Sequence, residues 1–293
     1  MINIKENVKI NSSLLEGIRK FLEEQNFLEI NTPKISFLPT DQDDHLFTVD
    51  YFGTTTYLIQ TPQFFKQAYV INGVDSVFEI GPVFRAEPRV TKRHLSEFVC
   101  LDIESSTFSH LDEIIKFEKK LLLAASTYLS NKDLPISPIE SFEVVTYKEI
   151  KRILGLADNE PIGNSHESTI NEYFKKDGIF ITEYPADERI FYYEEENGIS
   201  QSFDLILKGI EITSGGLRKT SKKGIIEGMK KNNIDCDRYT PYLDLFTDEV
   251  PVHGGFGIGI ERLLSKFISV EDVSQVLPYL KKPNTQIGDL RWK

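Results

Sequence analysis

The chain has 293 residues, 40% hydrophobic and 27% charged, which excludes a disordered or fibrous chain and suits one large globular domain or two small ones. Asp and Glu total 45 against 34 Lys and Arg, a net charge of −11, the opposite of the basic footprint of a nucleic-acid binder, although a local patch can still serve one. Cys100 and Cys236 are too few for a disulfide framework or a zinc site, and neither a membrane-spanning apolar run nor a secretory leader is visible, so a reducing cytoplasmic location is expected.

In chain order, residues 11–25 place Leu14, Leu15, Ile18, Phe21 and Leu22 on one helical face, with Ser12 or Ser13 as the cap. FLEINTPKI follows as a short extended segment stopped by Pro33. Residues 57–70 begin as a strand and turn into a helix at Pro62. Strand-like runs at 77–86 and 97–104 flank the polar stretch PRVTKRHLS, which predicts a hairpin with a long basic loop. A helix is expected near 110–130, and 145–178 reads as helical and polar. Strands return at 179–184, 202–207 and 209–214, a helix near 221–232, and GGFGIGIERLLSKFI reads as a glycine-rich strand entering a helix. Without regular βαβ alternation this is an α+β fold, an antiparallel sheet flanked by helices. No Pro-, Gly- or Ser-rich linker appears, so one domain over 1–293 is expected, with 110–178 as a helical insertion over the sheet.

Three constellations can carry chemistry. Arg85 and Glu87 share one strand face, Arg89, Lys92, Arg93 and His94 crowd the loop, and Phe98 and Asp102 lie on the returning strand. Cations beside an aromatic ring suit a nucleotide, although a charged loop is commonly just a solvated turn. Asp204 and Glu211 lie on neighbouring strands and could share a magnesium ion bound to phosphate oxygens, or be ordinary surface carboxylates. Ser214, Gly215 and Gly216 let backbone approach a ligand, with Arg218 just beyond. In HGGFGIGIER the glycines are costly in a strand unless something comes close, and Arg262 can project from the following helix.

In this order these segments resemble the three signature motifs of class II aminoacyl-tRNA synthetases: the helix ending in FLEINTPKI, then FRAEPRVTKRHLSEFVCLDIE, then GGFGIGIER. QTPQFFKQ is similar to the segment that recognises the side chain in the aspartyl type. The resemblance implies that Gln63 and Lys66 contact substrate, with Lys66 and Arg218 as paired cations for the β-carboxylate of aspartate, and that Asp102 meets the ammonium. For ATP it implies Arg85 on the α-phosphate, Glu87 at the adenine edge, Phe98 stacked on adenine, and His94 and Arg262 on the outer phosphates. Asp204 and Glu211 would carry Mg2+, with Ser214 assisting, and the product would be an aspartyl adenylate. The family also implies a homodimer built on the first-motif helix and the Pro33 segment, although the apolar stripe Leu14, Ile18 and Phe21 could instead cover the domain's own core.

Two departures shape the expectation. The first-motif helix leaves no room ahead of it for an anticodon-binding barrel, and the closing loop, a Thr-Glu-Gly-Gly stretch in the family, reads Thr40-Asp41-Gln42-Asp43-Asp44, with Asp41 as the residue to meet an ammonium group. A stand-alone domain of this kind, with YEEENGISQSFDLIL, resembles archaeal asparagine synthetases related to aspartyl- and asparaginyl-tRNA synthetases. The implied reaction amidates aspartate with ammonia, forming AMP and pyrophosphate. Two alternatives stand beside it: a paralogue charging tRNA or another acceptor, and a non-catalytic sensor of aspartate or ATP. The missing barrel and the acidic charge count against tRNA as partner.

Overall fold

The computed structural model describes residues 3–40, 45–88, 91–157, 159–247 and 250–276. The chain opens with helix α1 (Ile4–Glu24), capped by Asn3, whose side chain accepts from the Glu6 amide at 3.2 Å. Ser12 and Ser13 therefore lie inside the helix and not at its cap. The polar opening turns carry no continuous apolar period to announce them. Short strands β1 (Leu28–Glu29), β2 (Ile35–Ser36), β3 (Thr48–Tyr51) and β4 (Thr54–Leu58) lead to α2 (Gln63–Ile71), with Pro62 at its N-cap. Strands β5 (Ser76–Phe84) and β6 (Glu97–Ser105) form the expected antiparallel hairpin, pairing Glu79 with Asp102 and Val83 with Phe98.

Helix α3 (Leu111–Ser130) precedes β7 (Phe142–Thr146), α4 (Tyr147–Leu154), α5 (Glu167–Phe174) and β8 (Gly178–Thr182). The stretch read as helical and polar thus begins in a strand. FEVVT is too short to show a period before the strongly amphipathic YKEIKRIL, and it joins the sheet edge parallel to β8. Next come the small hairpin β9 (Glu195–Glu196) and β10 (Ile199–Ser200), then β11 (Ser202–Leu207), β12 (Ile210–Leu217), α6 (Lys222–Lys231) and α7 (Thr240–Leu243). Strand β13 (Gly254–Gly259) runs directly into α8 (Ile260–Phe267).

The main sheet has the order β1-β5-β6-β13-β12-β11-β8-β7, and only its two outermost pairs, β1 with β5 and β7 with β8, are parallel. One face is packed by α1, α3 and α8: Leu14, Ile18 and Leu22 meet Leu121, Leu122, Leu205, Phe256 and Leu263 in one core. Alternation along β11 sends Phe203, Leu205 and Leu207 into that core and Asp204 and Ile206 to the opposite face. That second face is covered at one end by α4 and α5 around Ile150, Ile170 and Ile206, and at the other by an aromatic cluster that includes Phe64, Phe191 and Tyr242. Its centre stays open. No helix among the described residues is long and apolar enough to cross a membrane.

Gly255 and Gly216 are needed by the sheet itself, whereas Gly257 and Gly259 line the central opening of the second face. A Cβ on Gly255 would lie 1.9 Å from the Ile103 carbonyl oxygen, and one on Gly216 2.4 Å from that of Gln201. Close approach is needed there, as expected, but the approaching group is the neighbouring strand.

Candidate active site

The open centre of the second face is a cavity of about 420 Å³. Every predicted site residue that the structure describes lines it: Gln63 and Lys66 from α2, Arg85 and Glu87 just past β5, His94 from the loop, Phe98 and Asp102 from β6, Asp204 from β11, Glu211 and Ser214 from β12, Arg218 just beyond, and Arg262 from α8. Asp41 lies outside the described residues.

At the floor sits a buried quartet of charges. Lys66 Nζ is 3.1 Å from Asp102 Oδ1 and 3.4 Å from Glu104 Oε2, and it also donates to the Ile103 carbonyl. Arg218 grips Glu104 with one edge of its guanidinium, Nε to Oε1 at 2.9 Å and Nη2 to Oε2 at 3.1 Å, while Gln63 Nε2 donates to Glu104 Oε2 at 3.4 Å. Burial opposes the Glu104 charge, but Arg218 and Lys66 outweigh it and hold the carboxyl below its usual range. Glu104 was not anticipated from sequence, although its place two residues after Asp102 puts it on the same strand face. Two atoms of the quartet are buried without a hydrogen-bond partner among the described residues, Arg218 Nη1 and Asp102 Oδ2. Buried polar atoms are rarely left so, and these two ask for an anion and a cation together.

A neutral network backs the quartet. Tyr242 donates to Gln67 Oε1 at 3.0 Å, Gln67 Nε2 lies 3.0 Å from His253 Nε2, and His253 Nδ1 lies 2.7 Å from the Pro251 carbonyl. Burial pushes the His253 pKa down, which keeps the ring neutral, and its carbonyl accepts from the Arg218 amide at 2.9 Å.

At the other end of the cavity the Arg85 guanidinium lies 5.7 Å from the centroid of the Phe98 ring. The loop is less cationic than its composition suggests. Burial and the neighbouring Arg262 and Arg93 charges push His94 down to about 4, so it meets the cavity as a neutral imidazole whose Nδ1 is 2.8 Å from Thr91 Oγ1. Arg93 pairs with buried Glu167 at 2.9 Å, and Lys92 pairs with Glu271 at the surface. Arg262 holds the loop and β12 together, donating to the Arg93 carbonyl at 3.2 Å and the Glu211 carbonyl at 2.9 Å.

The two predicted metal carboxylates share the cavity because β12 is bulged. Leu205 pairs with Thr213 and Ile206 with Glu211, leaving Ile212 as the extra residue. Three positions apart, Glu211 and Ser214 can then both face the cavity, while the Thr213 hydroxyl turns to the opposite side and donates to Glu118 of α3. The Glu211 amide is fixed by Glu167 Oε2 at 2.8 Å. Partial burial, with the side chain still 36% exposed, and the nearby Asp204 charge push the Glu211 pKa up, with Arg262 opposing from 3.9 Å. Asp204 is not the open carboxylate expected from sequence, because Arg189 takes both of its oxygens at 2.8 Å. Hard carboxylate and hydroxyl oxygens fit a magnesium ion, with phosphate oxygens and water completing its shell and supplying much of the negative charge. Glu211 would hold it, with Asp204 and Ser214 beside it.

Residues 2–283 match the family described as tRNA synthetases class II (D, K and N). The chain belongs to this family. It is 36% identical over 286 residues to an aspartate–tRNA(Asp/Asn) ligase of Thermus thermophilus, covering 91% of this chain and 67% of that protein. It is 33% identical over 290 residues to an aspartate–tRNA(Asp) ligase of Pyrococcus abyssi, covering 92% and 66%. The chain thus spans about two thirds of the length of these relatives. Among solved class II synthetases, the asparaginyl-tRNA synthetase of Pyrococcus horikoshii, complexed with asparaginyl-adenylate, shares the fold at a TM-score of 0.90 and 24% identity, over 97% of this chain and 70% of that one.

Proposed function

We propose that the chain activates aspartate with ATP as an enzyme-bound aspartyl adenylate and passes the acyl group to ammonia, releasing asparagine, AMP and pyrophosphate. The observation that carries the activation is the pair of orphaned atoms at the cavity floor. Arg218 Nη1 offers a buried cationic donor beside Lys66, and Asp102 Oδ2 offers a buried anionic acceptor. A dicarboxylic zwitterion satisfies both, because either carboxylate accepts from a guanidinium that can only donate while the ammonium donates to Asp102.

ATP would lie along the opposite end, adenine against Phe98 with its edge at Glu87, the α-phosphate at Arg85, and the outer phosphates at Arg262 and the His94 imidazole. A carboxylate oxygen of aspartate attacks the α-phosphorus, the bond to the bridging oxygen breaks, and pyrophosphate leaves with the electron pair. Arg85 and Arg262 stabilise the charge that develops on the phosphate oxygens. A divalent cation held by Glu211, with Asp204 and Ser214, would supply further neutralisation of pyrophosphate. Ammonia then attacks the acyl carbon, the bond to AMP breaks, and the new amide nitrogen gives up a proton. Asparagine forms when the β-carboxylate is the activated one, which places the α-carboxylate at Lys66 and Arg218. The reverse orientation activates the α-carboxylate, as tRNA charging requires.

Ammonia as acceptor is supported by the YEEENGISQSFDLIL segment and the net charge of −11. Transfer to tRNA is the second reading, favoured because the relatives named above are aspartate–tRNA ligases. We place the protein in the cytoplasm as a homodimer. The test is product analysis after incubation with ATP, magnesium, aspartate and ammonium and no tRNA. Asparagine with AMP supports the proposal. Pyrophosphate exchange without asparagine moves the reading to tRNA or another acceptor, and the absence of both leaves a sensor.

A further inference from the structure

Arg189 follows a single turn of 3₁₀-helix (Ala186–Glu188), in a stretch where the sequence gives no reason to look for a site residue. Its guanidinium is spent almost entirely on the wall of the cavity. Nη1 donates to Asp204 Oδ2 and Nη2 to Asp204 Oδ1, both at 2.8 Å; Nη2 also donates to Ser214 Oγ at 2.9 Å, and Nε to Ser202 Oγ at 3.0 Å. The Tyr184 and Tyr193 ring centroids lie 4.5 Å and 5.4 Å from the guanidinium carbon. The Arg189 and Asp204 side chains are only 12% and 11% exposed. A fork matched to a carboxylate and packed by rings is a fixed ion pair rather than a passing contact.

Of the two carboxylates facing the cavity, one is therefore compensated at contact distance. The other, Glu211, has Arg262 at 3.9 Å, with the mutually paired Arg93 and Glu167 acting on it from farther off. Together Asp204, Glu211, Arg189 and Arg262 sum to no net charge, so a free divalent cation gains little on entering. It gains much more once a triphosphate brings its own negative oxygens.

We propose that Arg189 is a positioning residue that withholds Asp204 from free divalent cations, so that the metal of this site enters with the nucleotide. The inference rests on the reading of Glu211 and Asp204 as the metal carboxylates. It assigns Arg189 two effects: it fixes the Asp204 and Ser214 oxygens in place, and it removes the charge that would make the empty site a metal trap.

The test measures Mn2+ binding to the full chain by electron paramagnetic resonance at pH 8, with and without ATP and with no aspartate present. The wild type should bind free Mn2+ weakly and at least tenfold more tightly with ATP. Arg189→Met and Arg189→Gln should each bind free Mn2+ at least tenfold more tightly than the wild type, and adding Asp204→Asn to either should abolish the gain. Loss of a structural arginine would instead weaken binding or leave it unchanged, so the sign separates the two roles. Arg189→Gln keeps part of the hydrogen bonding and carries the measurement should Arg189→Met fail to fold. Free Mn2+ binding that is unchanged in both Arg189 variants overturns the inference, as does wild-type Mn2+ affinity that is equal with and without ATP. Glu211→Gln tells the two readings apart. If it abolishes the ATP-dependent binding while the Arg189 variants show no gain, only the role of Arg189 falls. If a gain in the Arg189→Gln background survives Glu211→Gln, the metal lies elsewhere and the reading of the carboxylates falls.

Discussion

Arg218 binds Glu104 through two hydrogen bonds at 2.9 and 3.1 Å at the nearly buried floor of the cavity, yet its third nitrogen, Nη1, has no partner among the described residues. Leaving a charged donor unmet in the interior costs about 1–3 kcal/mol, more for a full charge, so the arrangement makes sense as a ground state waiting for an anion. Lys66 stands beside it, held by Asp102 and Glu104. The cations are thus already compensated, and the ligand's carboxylate completes their hydrogen bonding rather than supplying their only counter-charge.

Lys66→Ala should therefore weaken aspartate by about 3–5 kcal/mol, the cost of breaking a buried charge group, and should leave ATP affinity within about twofold. Equilibrium binding of each substrate alone makes the comparison. Equal losses for both would remove Lys66 from the aspartate subsite.

Much of this site was legible because its charges sit at regular spacings on strands. Arg85 and Glu87 at the end of β5, and Phe98 and Asp102 on β6, fall on one face by alternation alone. What could not be read were the partners supplied from far along the chain. Glu104 and Arg218 are 114 residues apart, and Arg93 and Glu167 are 74 apart. Arg189 emerges from an irregular segment with no period, and it changes the meaning of Asp204. The bulge at Ile212 was also hidden, because IEIT reads as simple alternation and only the pairing with β11 reveals the extra residue. The first helix shows the opposite case: its apolar stripe was correctly read, but Leu14 and Ile18 are fully buried in the chain's own core.

That burial sharpens the prediction of a homodimer. With the stripe used internally, a partner would meet the residues after the helix, where Leu28 is 60% exposed, Phe37 62% and Phe52 94%. Phe37, Tyr51 and Phe52 form an edge-to-face cluster on the small β2-β4-β3 sheet, a large apolar surface to leave in water. Sedimentation at micromolar concentration should give twice the chain mass, and Leu28→Asp or Phe52→Asp should shift it to the monomer with the melting of the isolated chain unchanged. A monomeric wild type would refute the dimer.

Glu211→Gln should separate stability from activity. Because burial and Asp204 push the Glu211 pKa up to about 7, its ionised form is disfavoured by folding. The native state keeps the proton that the unfolded chain releases above about 4.3, so Glu211 costs stability increasingly as pH rises toward 7. The neutral amide escapes that cost. The variant should melt at or above the wild-type temperature at pH 8 and give no detectable pyrophosphate exchange. Normal exchange with normal magnesium dependence would show that Glu211 holds no metal.

Glu118 provides the clearest pH signature in the molecule. It lies on α3 with no exposure, beneath β12; it accepts from the Thr213 hydroxyl at 2.6 Å, while Oε2 has no partner among the described residues. Burial pushes its pKa up to about 8, and the Thr213 bond offsets this only in part. The folded state therefore holds a proton that the unfolded chain loses above about 4.3, so the contribution of this group is full below that pH and declines by about 1.4 kcal/mol per pH unit until the folded pKa is passed. A neutral carboxyl suits the apolar layer between helix and sheet; a carboxylate there meets no cation among the described residues. Glu118→Gln keeps the shape and an acceptor for Thr213 but cannot ionise. Urea unfolding between pH 5 and 9 should show the wild type losing stability toward pH 8 relative to Glu118→Gln, with the two curves parallel above it. Curves that stay parallel over the whole range would mean that Glu118 is already ionised in the native state.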